Sequence, residues 1–127
     1  MAYSSLLVSP TEQSYDNTRY HKTSWALLNS SGLSSGNPST GTLDYSDRSV
    51  QVVGTFGSGG SVQIQGSNDG GTTWSPLSNP AGTVINITGS SQINQITELA
   101  EQVKPVVTAG DATTSLTVWL MMRRDKI

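Results

Sequence analysis

From Ser49 onward, apolar and polar residues take turns along short runs, the period-two mark of β-strands with one buried face. Val50 and Val52 alternate with Ser49, Gln51 and Val53, and Val62 and Ile64 alternate with Ser61, Gln63 and Gln65. Val84, Ile85 and Ile87 form a third run after the Pro80-Ala81-Gly82 turn, and Val103, Val106 and Val107 a fourth. Pro105, inside that fourth run, has no amide hydrogen to donate, so an edge position is expected there. Ser115–Met122 is the strongest run: Leu116, Val118 and Leu120 point one way, Thr117, Trp119 and Met121 the other. Both its faces are partly apolar, which predicts a central strand or one covered by a neighbour. Ile93, Ile96, Leu99 and Val103 recur at spacings of three and four, as on a helix face. Asn94 and Thr97 are poor helix formers, and a strand with a bulge is the preferred reading.

The stretch Gly54–Trp74 reads as strand, glycine loop at Gly57–Gly60, strand, then a tight turn at Asn68-Asp69-Gly70-Gly71. Such turns supply the positive φ angles that hairpins need, so antiparallel strands and hairpin loops are expected. Many short strands between Gly, Pro and Asn turns at roughly ten-residue spacing are the signature of a sandwich or jelly roll. Residues before Asp47 differ in character. Ser4–Val8 suits a short strand, Ser24–Leu28 is a compact apolar patch, and Asn29–Gly41 is a run of turn residues. The expectation is a single domain, with 1–46 an extended arm anchored at Trp25, Leu27 and Leu28, and 47–127 the sandwich core.

A length of 127 residues suits one domain with a two-sheet core. Only 13% of residues are charged and the net charge is −2, which argues against a nucleic-acid partner, since phosphate binding needs clustered Lys and Arg. The few basic side chains gather at Arg19, His21 and Lys22 and again at Arg123, Arg124 and Lys126, as solvated strand ends or as a dock for an acidic protein surface. There is no cysteine, which removes disulfides, thiolate catalysis and cysteine-bound zinc. Met1–Pro10 lacks the basic start of a secretory signal, and no apolar run is long enough to cross a bilayer. Folding in a reducing cytosol is expected, with the two glycosylation sequons as chance matches.

Site chemistry is sparse. Gly32-Leu33-Ser34-Ser35-Gly36 has the form of a hydrolase nucleophile elbow, but that motif needs a following helix and a later histidine. The sole histidine, His21, precedes it. One histidine makes no metal site, and Asp69 among small polar residues reads as a turn former rather than a calcium ligand. Asp44 with Asp47, or Glu98 with Glu101, are solvated carboxylates with nothing to set them across a cleft. No catalytic constellation, cofactor or metal is expected. Trp25, Trp74 and Trp119 read as core or interface anchors, with sugar stacking as the alternative. The residues expected at an interface are Tyr15, Arg19, Tyr20, His21, Lys22, Trp25, Arg123 and Arg124.

Three stretches resemble the small decoration, or cement, proteins of tailed double-stranded DNA bacteriophage heads. They are Asp47–Phe56, then Val62–Gly70 with Trp74 and Leu77, and Val103–Asp111 followed by Ser115–Val118. The likeness covers Asp47–Arg124 and rests on the order and spacing of the motifs; Lys104 stands where an arginine is expected before Pro105. The resemblance implies a jelly-roll-like antiparallel β-sandwich, a homo-oligomer (dimer or trimer) on the outside of an icosahedral shell, made in the bacterial host's cytoplasm. It also implies the major capsid protein as partner, bridged so that the expanded head holds. A carbohydrate-binding or virion surface adhesion module is the alternative.

Overall fold

The computed structural model describes residues 6–8, 10–15, 20–28, 34–39, 45–111 and 113–124, and among them are strands and no helix. In chain order the strands are β1 (Leu6–Val8), β2 (Thr11–Tyr15), β3 (Tyr20–Leu28), β4 (Ser34–Gly36), β5 (Asp47–Thr55) and β6 (Ser61–Ser67). After them come β7 (Ser75–Pro76), β8 (Asn86–Thr88), β9 (Gln92–Gln95), β10 (Gln102–Ala109) and β11 (Ser115–Arg123). They make two sheets. A six-stranded sheet runs β1-β4-β10-β6-β7, with β8 also paired to β6, and a five-stranded sheet runs β2-β3-β11-β5-β9. Every pair is antiparallel except β1 with β4.

The alternation seen in the sequence is the burial pattern. β11 buries Leu116, Val118, Leu120 and Met122, β5 buries Val50 and Val52, and from the other sheet come Val62, Ile64, Ile87, Val103 and Val107. These side chains belong to one hydrophobic cluster shared by both sheets. Each contributes about 1.5–3 kcal/mol through loss of apolar contact with water, which is what holds the layers together. β11 is central as expected, paired with β3 on one side and β5 on the other along its whole length.

Four expectations are corrected. First, the described residues before Asp47 are not an extended arm. β3 is flanked by β2 and β11, and β4 lies between β1 and β10, so both sheets run through this half of the chain. Trp25 explains why: it is 1% exposed and its Nε1 donates to the Asn37 carbonyl at 2.8 Å. Gly36 of β4 makes room for it, because a Cβ there would lie 2.7 Å from the indole ring. Trp25 is thus core, and is withdrawn from the expected interface.

Second, Gly57–Gly60 is no hairpin loop. It carries the chain from β5 in one sheet to β6 in the other. Third, β10 is internal despite Pro105. Ile64, opposite Pro105, directs its N–H to the Ile85 carbonyl and its own carbonyl to the Leu77 N–H, both away from β10. The missing donor of Pro105 therefore faces the β4 side, where the pairings of β10 among the described residues are Val106–Ser35 and the Val103–Ser39 bridge, and neither needs an amide from residue 105. Fourth, Gln92–Val103 is the short strand β9, an irregular segment and the start of β10, with no helix.

The Asn68–Gly71 turn does join neighbouring strands, β6 and β7, with Gly70 at φ 75°. Asp69 Oδ1 accepts the Thr72 and Thr73 N–H groups at 3.1 and 2.8 Å, and Ser67 Oγ donates to it at 2.7 Å. These bonds, the Thr73 amide foremost, lower the Asp69 carboxyl from its ordinary value to about 2.

Candidate interaction surface

Register does what sequence order hides. Pairing of β3 with β11 sets Tyr20 against Arg123, His21 against Met122 and Lys22 against Met121, so the two basic clusters share one end of the five-stranded sheet. Arg124 follows directly, its guanidinium 5.9 Å from the Tyr45 ring centroid, while the His21 ring lies 5.7 Å from the same tyrosine. Arg123 donates to Asp47 Oδ2 through Nε at 3.0 Å. Their side chains are 52% and 43% exposed, so this ion pair is worth at most about 1 kcal/mol and is screened by salt. Tyr15 ends β2 opposite Tyr20. Arg19 and Asp44 lie outside the described residues, as does Lys126.

Alternate residues of the same sheet face outward. Lys22, Trp119, Met121, Ser49, Gln51 and Ile93 line a shallow hollow of about 370 Å³ on that face. Its apolar members stand open, Met121 at 36% exposure and Ile93 at 66%, amid hydroxyls and amides. A second hollow of about 380 Å³ adjoins it through Ser49 and Met121 and reaches Tyr20, Asp47 and Arg123. The sequence pattern had Trp119 and Met121 pointing together, but the approach of Ile93 and Lys22 depends on pairing partners that no local signal names.

The half-buried tryptophans each wear a lysine. Lys22 Nζ lies 4.7 Å from the Trp119 ring centroid, and Lys104 Nζ lies 4.3 Å from that of Trp74. An ammonium over the ring face is a favourable cation–π contact, and it occupies the face that a sugar would stack on. Partial burial also lowers the pKa of Lys104 from the ordinary lysine value.

One hydrogen-bonded chain was not foreseen. Ser14 Oγ lies 3.0 Å from His21 Nδ1, and His21 Nε2 lies 3.1 Å from Glu12 Oε1. A carboxylate oxygen accepts, so Nε2 is the donor towards Glu12, and Ser14 Oγ meets the other ring nitrogen. The connectivity is that of nucleophile, base and orienting acid. Glu12 Oε1 also lies 3.4 and 3.3 Å from Thr23 Oγ1 and Ser39 Oγ, and these two hydroxyls, both fully buried, lie 3.1 Å apart, so two hydroxyl protons are shared among three contacts. Ser39 in turn is bridged to Val103 of the other sheet through its N–H. The cluster is therefore a knot that ties β2 to β3 and one sheet to the other. Among the described residues no three His, Asp or Glu side chains gather as a metal site. The chain matches no family model, no curated protein and no solved structure.

Proposed function

We propose that this chain is a virion structural protein: a decoration protein on the outside of a tailed-phage capsid, a jelly-roll-like β-sandwich that bridges major capsid subunits as a homo-oligomer and stabilises the expanded head. The observation that carries the reading is the outer face of the five-stranded sheet, where Trp119, Met121 and Ile93 form an open apolar patch among hydroxyl and amide side chains, with basic residues at one end. An aromatic and a methionine in a polar surround suit a protein partner's flat surface. The family resemblance over Asp47–Arg124 supplies the identity of that partner.

Cementing needs contacts that are weak singly and repeated. Binding only the assembled lattice stabilises it by mass action, and an oligomer turns modest contacts into lasting attachment. Repeated crossings of the chain between two sheets around one core support the jelly-roll reading and give a stiff body for that task. A loose leading arm is not called for, since β1, β2 and β3 pair into the two sheets. The lysines over Trp74 and Trp119 weigh against the carbohydrate alternative, because a pyranose would have to displace them.

Cosedimentation with undecorated heads of the encoding phage tests the proposal. Purified protein should pellet with expanded heads and raise their resistance to heat, while leaving unexpanded shells bare. Met121→Glu, which puts a charge into the patch, should weaken that binding by roughly tenfold or more. Absence of binding to expanded heads would sink the reading.

A further inference from the structure

The five-stranded sheet ends in β9 on one side, the residues Gln92-Ile93-Asn94-Gln95. β9 pairs with β5 from Gln92–Val52 to Gln95–Ser49 without a bulge, and among the described residues no strand pairs with its other side. Soluble proteins blunt such an edge with lysine, proline, a bulge or an inward charge, because an open ladder recruits another strand. β9 has none of these, and its shortness, four residues, is its one protection. It offers Ile93 at 66% exposure instead.

We infer that β9 is a self-pairing edge. It joins two copies of this chain antiparallel about a two-fold axis normal to the sheet, with the Ile93 side chains of both copies opposite each other. A closed two-fold interface uses the same patch twice, so the patch must be compatible with itself. β9 meets that demand because it carries no charge to oppose its own image.

Facing fixes the register. Such an axis keeps outward residues outward in both copies, so only positions of like facing can oppose each other. Ile93 and Gln95 face outward with Gln51 and Ser49, while Gln92 and Asn94 share the side of buried Val52 and Val50. Two centred registers satisfy this, Ile93 on Ile93 or Asn94 on Asn94. The first buries the isoleucines against each other and sets Gln92 across from Asn94, amide to amide. The second leaves each isoleucine against Gln95. Burial of apolar surface selects the first. It also makes the Trp119-Gln51-Ile93 rows of both copies one continuous band, doubling the patch offered to a partner.

The inference deepens the homo-oligomer part of the capsid reading, but its test needs no shell. The chain has no cysteine, so Ile93→Cys introduces a single thiol. Directly opposed strand residues have Cα atoms about 4.5–5.5 Å apart, within disulfide range. Oxidised Ile93→Cys should give a covalent dimer. Gln51→Cys, separated from its image by three strand spacings or about 14 Å, should not. Sedimentation equilibrium should show the unmodified chain as a dimer. Ile93→Lys should raise the dissociation constant roughly a hundredfold through like charge at the axis, with its circular dichroism unchanged. A monomeric or trimeric unmodified chain, an undiminished Ile93→Lys dimer, or crosslinking no faster at 93 than at 51 overturns the inference. If those results fail while the protein still pellets with expanded heads, the edge is wrong and the decoration reading survives.

Discussion

The two edges of the five-stranded sheet are built on opposite plans. At β2, Glu12 collects hydrogen bonds from His21, Thr23 and Ser39, and Ser39 is bridged to the facing sheet. At β9 the strand is uncharged and holds to β5 by its ladder, with Asn79 Nδ2 reaching the Asn94 side chain at 3.4 Å. Both strands are short, and propensity does not separate them. The difference lies in where the polar groups point. Glu12 of β2 reaches the buried hydroxyls of Thr23 and Ser39, which makes the edge part of the body. β9 leaves its backbone and Ile93 to solvent, which is stable only when something pairs with it or when the protein tolerates the hazard. Within one sheet, one side is tied into the body and the other is left open among the described residues.

The largest effect should come from breaking the secured side at its base. Trp25→Ala removes a fully buried indole from β3 and should cost about 3–5 kcal/mol, read as a lower urea midpoint. Deleting residues 2–28 should abolish cooperative unfolding altogether, since β3 flanks the central strand along its whole length. A truncated protein that still melts cooperatively would restore an arm that is separable from the body.

Next comes the knot itself. Glu12→Ala leaves the buried hydroxyls of Thr23 and Ser39 with each other but without their shared carboxylate, and takes the Nε2 acceptor from His21. A loss of about 1–3 kcal/mol is expected, with faster hydrogen exchange in β2 and β3 and unchanged exchange in β9. The same variant separates structure from chemistry at Ser14. If the knot only ties strands, a fluorophosphonate should label Ser14 no faster in the unmodified chain than in Glu12→Ala.

What sequence makes legible here is local, and what it hides is pairing. The alternation at Val50–Val52, Val62–Ile64 and Leu116–Leu120 separated the two faces of each strand correctly because side-chain direction in a strand depends only on its neighbours. The Asn68–Gly71 turn was equally readable, since φ > 0 at Gly70 is a local demand. β2 (Thr11–Tyr15) escaped notice because four of its side chains are exposed and polar, so no hydrophobic period marks it. Glycines at 57–60 look alike whether the next strand returns to the same sheet or crosses to the other. The cluster formed by Tyr20, His21 and Lys22 with Arg123 was visible only as two halves, and the two edges were not visible as edges at all. Trp25 and Trp119 sit in similar apolar runs. Only the register tells which faces the core.

Acid should act on two turns, those of Asp69 and Asp111. Asp69 and Asp111 are both held near 2, the first mainly by the Thr73 amide and the second mainly by the Thr113 hydroxyl. A carboxyl depressed on folding stabilises the native state above its unfolded value of 3.8, and that contribution disappears as pH falls from there through about 2. Unfolding midpoints should therefore decline over that window. Asp69→Asn should flatten part of the decline, and β9, which has no carboxylate, should contribute nothing to it.

The smallest effect is the sharpest test of the available edge. Ile93→Lys alters a side chain that the isolated fold leaves two-thirds open, so the unfolding free energy of the separated chain should stay within about 0.5 kcal/mol of the original. The measurement belongs at dilution, where self-association no longer adds to stability by mass action. At high concentration the unmodified chain should gain melting temperature and the variant should not. A variant that loses stability even when dilute would mean that Ile93 already serves the fold. β9 would then be a second secured edge, and the contrast with β2 would collapse.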